Sequence, residues 1–142
     1  MNTFRGDSVD GPEFFAILCA NEEFCAELGR AVLAGGRLET ALKRLLSRHG
    51  FGKDTSKATL GRLIEFCRTE VLIAKMIPAL ETLRDQRNYL IHNIHSLLSD
   101  MIQETILERE GLVDSDVHTY TERAWLLKDN LNGLAEILER DE

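Results

Sequence analysis

Leu83-Arg84-Asp85-Gln86-Arg87-Asn88-Tyr89-Leu90-Ile91-His92-Asn93-Ile94-His95 sets two arginines, two histidines, two asparagines and a tyrosine inside an apolar helical pattern. Residues four apart share one face of a helix, and residues three apart nearly do. On that geometry Arg84, Asn88, His92 and His95 line one stripe, while Leu80, Leu83, Leu90, Ile94 and Leu98 line another. Arg87 falls within the apolar stripe. A guanidinium there costs free energy unless it snorkels to the rim, pairs with a carboxylate, or faces a cleft instead of a core. The stretch therefore predicts a helix with one polar edge, in a chain that elsewhere reads as a scaffold of amphipathic helices.

Outward from this stretch, Pro78 marks where the helix begins, because proline is tolerated in a first turn and costs about 3 kcal/mol in an interior. The helix is expected to run to about Glu108. Upstream, Leu60, Leu63, Ile64 and Cys67 predict a shorter helix capped by Ser56 or Thr59. His49 to Ser56 reads as a helix stop and linker; its glycines lack the full phosphate-loop pattern and follow no strand. Glu22 to His49 is a long helical stretch in which Gly35-Gly36, at about 1 kcal/mol each, predicts a break or kink. Asp10-Gly11-Pro12-Glu13 has the form of a helix start, so residues 1–11 are expected to be a flexible arm and 12–142 a single helical domain. After a loop over Glu110 to Asp116, apolar residues from Val117 to Leu138 predict a last helix. No alternating strand pattern is evident. The expected fold is all-α, an up-and-down helical bundle of four to five helices with two long antiparallel members.

The 142 residues carry a formal charge of −7. Bulk charge therefore argues against generic polyanion binding. An RNA partner would need a local basic patch, for which Arg62, Arg68, Lys75, Arg84 and Arg87 are candidates. Cys19, Cys25 and Cys67 are odd in number, irregularly spaced and set among apolar residues, which reads as buried reduced thiols in a cytoplasmic protein. No secretory signal is expected, and no apolar run approaches the roughly 20 residues that span a bilayer. No metal or cofactor is expected. Three such cysteines do not make a zinc site, and no Glu stands three residues before a His as di-iron bundles require.

Arg87-Asn88-Tyr89-Leu90-Ile91-His92 resembles the R-x(4–6)-H motif of the HEPN (higher eukaryote and prokaryote nucleotide-binding) superfamily, often written with Asn after the Arg. Thr59-Leu60-Gly61-Arg62-Leu63-Ile64 resembles a segment common before that motif in bacterial members, and the helix around Leu38-Glu39-Thr40-Ala41-Leu42 resembles an earlier one. At the level of helix order the resemblance covers Leu28 to Leu138. The nucleotidyltransferase-paired toxins of the superfamily often carry Tyr two residues after the His; that position here is Ile94. The resemblance implies a HEPN-like, metal-independent endoribonuclease with no cofactor. It would act on RNA as a homodimer, in a toxin–antitoxin, defence or RNA-processing setting, with an antitoxin or regulatory protein as partner. It assigns catalysis to Arg87 and His92 with Asn88 in support; Arg84, His95 and Tyr89 are candidate substrate contacts. The alternative is a non-catalytic HEPN-like module for dimerisation or for binding a nucleotide or protein.

The chemistry suits these residue types. Metal-free RNA cleavage needs a base for the ribose 2′-hydroxyl, an acid for the leaving oxygen, and a cation for the phosphoryl oxygens. Imidazole titrates near 6.5, and guanidinium bonds two oxygens at once while staying charged. Arg87 and His92 are nonetheless five residues apart, about 140° around an ideal helix. The long Arg side chain, a local distortion or a contribution across a dimer must close that gap.

Overall fold

Asp10, Asn21 and Thr59 start three of the five α-helices among the described residues by the same chemistry. Each places a side-chain oxygen on a backbone N–H that the first turn leaves unpaired. The computed structural model describes residues 8–69, 71–99 and 111–140. Asp10 Oδ1 accepts from Glu13 N at 2.8 Å and opens α1, Gly11–Ala20, with Pro12 in its first turn. Asn21 Oδ1 accepts from Phe24 N at 2.7 Å and opens α2, Glu22–Arg48. Thr59 Oγ1 accepts from Arg62 N at 3.4 Å and opens α3, Leu60–Arg68. A 3-10 segment, Val71–Met76, leads into α4, Ile77–Ser96, which carries Pro78 in its first turn. The last helix is α5, Val117–Arg140.

The all-α reading holds among the described residues, with one addition. Ser8–Val9 (β1) pairs antiparallel with Leu112–Val113 (β2), Ser8 opposite Val113 and Val9 opposite Leu112. Two-residue strands fall below any alternation that sequence can show. Of the arm expected over 1–11, residues 1–7 lie outside the described chain, Ser8–Val9 form β1, and Asp10-Gly11 cap and open α1.

Two other boundaries need correction. α2 passes through Gly35-Gly36 as one helix. Ala31, Ala34, Leu38, Leu42 and Leu45 are all buried, so the apolar face keeps helical phase across the glycines and its burial offsets their propensity cost. Nothing lies within 4 Å of where either glycine would carry a Cβ, so close packing does not explain them. The second correction is at the end of α4, which closes at Ser96 and passes into a 3-10 turn, Leu97–Ser99. The expected continuation to about Glu108 lies outside the described residues.

The stop after α2 is a Schellman motif. Gly50, at φ +77°, takes the left-handed conformation that costs glycine least. Its N–H donates to Ser47 O at 3.1 Å and that of Phe51 to Leu46 O at 3.0 Å. Gly50 thus terminates α2.

Among the described residues one core receives side chains from α1 to α5, among them Phe14, Leu42, Ile64, Leu80 and Leu131. Polar pairs fix the sense of the longest contact. Lys128 Nζ lies 3.0 Å from Glu27 Oε2, and Arg37 grips Glu139 with Nε–Oε2 at 2.9 Å and Nη2–Oε1 at 2.6 Å. Residue numbers rise together on both sides, so α2 and α5 run parallel. An up-and-down order would set them antiparallel. The departure originates in the loop between α2 and α3, which folds back far enough for Lys43 Nζ to donate to Ser56 O at 3.1 Å. The antiparallel neighbours are α3 with α4, through Arg68–Glu81 and Gly61–Arg84, and α4 with α5.

These clamps give stability a pH signature. Hydrogen bonding to Arg37 holds the Glu139 carboxyl below its ordinary value of 4.5, and Lys128 does the same for Glu27. A carboxylate with a depressed folded-state pKa contributes stability fully above its unfolded value, and that contribution disappears as pH falls through the folded value. The thermal midpoint should therefore drop on acidification below pH 4.5. A Glu27→Gln/Glu139→Gln variant should melt below wild type at neutral pH and show a shallower acid decline, as followed by circular dichroism.

Tyr120 is fully buried against Phe14, with ring centroids 5.1 Å apart. Burial pushes its hydroxyl up to about 12, with smaller contributions from Tyr89 and Asp116.

Candidate functional site

α4 divides its circumference among three neighbours, and the division locates every residue that the sequence singled out. Leu80, Leu83, Leu90 and Ile94 face the core. Glu81 and Arg84 face α3: Arg68 Nη2 is 3.0 Å from Glu81 Oε2, and Arg84 Cδ lies against Gly61. Gln86, Tyr89 and Leu90 face α5, where they line a groove with Arg123 and Leu126. Leu98, expected in the apolar stripe, is exposed, and Leu97 takes the buried place because the helix has tightened to 3-10 geometry there.

The polar stripe is present. Asn88, His92 and His95 are exposed and Arg84 is half-buried, all on the edge of α4 that begins at α3. Since α3 is only nine residues long, among the described elements it covers the head of the stripe and leaves the remainder open. Arg84 Nη2 lies 3.1 Å from Asp85 Oδ1 and 3.9 Å from Glu81 Oε2. Tyr89 is 48% exposed, which makes it a rim residue; it stands three residues before His92, about 60° away around the helix.

Arg87 answers the question raised by its place in the apolar stripe. It is half-buried and reaches across to α2, where Nη1 lies 3.6 Å from Glu39 Oε1. The carboxylate resolves the burial. It also turns the guanidinium toward α2, away from the edge that carries His92. α4 is an uninterrupted helix, so the offset of about 140° and a rise of about 7.5 Å persist between the two motif residues. The structure thus brings Arg84, Asn88, His92 and His95 onto one edge and sets Arg87 apart.

No family model, curated protein or solved structure matches this chain.

Several residues of this region were not singled out from sequence. Glu39 carries no local signal, since its partner is nearly fifty residues away. Asn93 is 3% exposed and donates through Nδ2 to Tyr89 O at 2.9 Å. That i to i−4 bond satisfies a buried amide on the core side of the helix. Asp116, 5% exposed, accepts from Val113 N at 2.8 Å and ties β2 to the start of α5. The cysteine expectation is corrected in part: Cys67 is buried, whereas Cys19 near the end of α1 and Cys25 in the first turn of α2 point away from the core and are exposed. Among the described residues no group of three or more His, Cys, Asp or Glu is placed to hold a metal ion, and no helix is long and apolar enough to cross a membrane.

Chemically, the edge offers two imidazoles one helical turn apart, a carboxamide between Arg84 and His92, and a guanidinium at its head. Proton transfer and phosphate contact are both within the repertoire of such a set.

Proposed function

We propose that this chain is one protomer of a homodimeric, HEPN-like endoribonuclease that cleaves RNA without a metal. In this reading His92 serves as general acid or base, Arg87 stabilises the scissile phosphate and Asn88 orients it. Arg84, His95 and Tyr89 hold neighbouring parts of the strand. The observation that carries the reading is the placement of Arg87 and His92 on one regular helix, both reachable from solvent and about 140° apart. With Arg87 turned to Glu39, one protomer does not present both side chains to one phosphate, whereas two copies can each supply one. Leu126 and Ile137, which line grooves between α4 and α5 and are 39% and 49% exposed, provide apolar surface for a second copy to cover. A role as a toxin or defence component, restrained by a partner protein, belongs to the same proposal.

The Glu39 ion pair favours a second reading. It neutralises the guanidinium within the protomer, as expected of a non-catalytic binding or dimerisation module that uses Arg87 structurally. The two readings separate when RNA is incubated in EDTA with wild type and with His92→Ala. Cleavage by wild type that the variant loses supports the enzyme. Equal absence in both supports the module.

A further inference from the structure

The charge of this protein is divided between two regions. Residues 43–68, from the last turns of α2 to the end of α3, carry seven Lys or Arg against Asp54 and Glu65, a net of +5. In a chain of −7 the remaining residues therefore carry −12. All seven cations except Lys43 are exposed, and Lys43 is half-buried.

The fold gathers these charges. Lys43 Nζ donates to Ser56 O, bringing the loop back along α2. Lys53 and Arg62 stand over the same Phe66 ring, at 5.8 and 4.8 Å from its centroid. Both acids are already engaged locally: Asp54 Oδ1 accepts from Ser56 N at 2.9 Å, and Glu65 Oε2 lies 2.9 Å from Arg62 Nη1. The surface then meets α4 at the head of the polar stripe, where Gly61 abuts Arg84, and Arg68 and Arg84 share Glu81.

We infer that residues 43–68 form a binding surface for the phosphodiester backbone of single-stranded nucleic acid, which leads the strand onto the Arg84–Asn88–His92–His95 edge. The inference deepens the ribonuclease reading by assigning the substrate-holding surface, and it takes the strand to be RNA on that reading. Of the seven cations four are arginines, whose planar fork bonds two phosphate oxygens at once, and three are lysines, which meet phosphate as point charges. The overall acidity of the chain does not oppose it, since exposed charges beyond about 10 Å are screened at 0.1 M salt.

The test uses the full chain carrying His92→Ala in EDTA, so that the probe survives, and follows the anisotropy of a labelled oligouridylate from about 50 to 200 mM salt. Arg44→Gln/Lys53→Gln/Lys57→Gln should weaken binding at least about tenfold and reduce the log–log salt slope by about 2, at roughly 0.7 per phosphate contact on a single strand. Arg30→Gln/Arg37→Gln/Arg140→Gln removes the same charge outside this surface and should leave the slope unchanged. All six positions are exposed, and far-UV circular dichroism should report an intact fold in both variants. An oligodeoxyuridylate should bind with the same slope.

Equal weakening by the two triple variants would reduce the effect to net charge and overturn the inference. So would salt-sensitive self-association without oligonucleotide binding, which would give the basic surface to the acidic remainder of a second copy. The fate of the ribonuclease reading stays separate. Binding lost in the first triple variant while wild type never cleaves RNA keeps the surface and removes the enzyme. Cleavage that depends on His92, with binding indifferent to the triple variant, keeps the enzyme and removes the surface.

Discussion

Replacing Leu42 by alanine will lower the unfolding free energy by about 2–5 kcal/mol, the range for truncating a buried leucine in a core that relaxes only partly around the cavity. Leu42 has no exposed surface and sits in the core on α2, the helix packed along α5. A domain of ordinary stability holds about 5–15 kcal/mol in total, so the variant should be partly or largely unfolded at modest urea. Leu33 on the same helix is the control. It is 75% exposed, and Leu33→Ala should stay within about 0.5 kcal/mol of wild type. Urea titrations of the two variants test whether the buried face of α2 is the one described. Equal effects would mean that the helix is turned differently about its axis.

The second large effect is on chemistry. Positioned general acid–base groups contribute about 10²–10⁴ to rate, so His92→Ala should lose that factor in RNA cleavage, equivalent to about 2.7–5.4 kcal/mol of transition-state stabilisation. Because His92 is exposed, the loss should come without a change in thermal midpoint. A variant that melted early would trace the lost activity to folding. Arg87 behaves differently, since Arg87→Ala also leaves the half-buried Glu39 carboxylate without its cation. That pair is partly solvated, so its loss should cost less than about 1 kcal/mol of stability, and any larger loss of cleavage is then catalytic.

What the sequence disclosed and what it withheld follow from the range of the interactions involved. Helix starts at Asp10, Asn21 and Thr59 are three-residue events, and Asp10 and Thr59 were legible as such. The Schellman stop at Gly50 is equally local. The stripes of α4 follow from its period, and Arg84, Asn88, His92 and His95 share an edge as their spacing requires. The parallel sense of α2 and α5 was hidden, because the Arg37–Glu139 clamp that reveals it joins residues a hundred positions apart. The unbroken path through Gly35-Gly36 was hidden for a related reason. Propensity argues for a break, and only the tertiary burial of Ala34 and Leu38 overrides it. For the site, the sequence could state that Arg87 needed a reason for its place but could not choose among three. Glu39 supplied one of them from a helix that local spacing does not connect to α4.

The central claim is that the Arg87 guanidinium of one copy and the His92 imidazole of another act on the same phosphodiester. Arg87→Ala and His92→Ala, each purified alone, should both be inactive on RNA in EDTA. Mixing them under conditions that exchange protomers should restore cleavage, because a mixed dimer again holds one intact arginine and one intact histidine in its shared cleft. A mixture that stays inactive beside an active wild type would place both groups within a single protomer and contradict the claim, and a wild type that leaves RNA intact would remove the cleavage chemistry altogether.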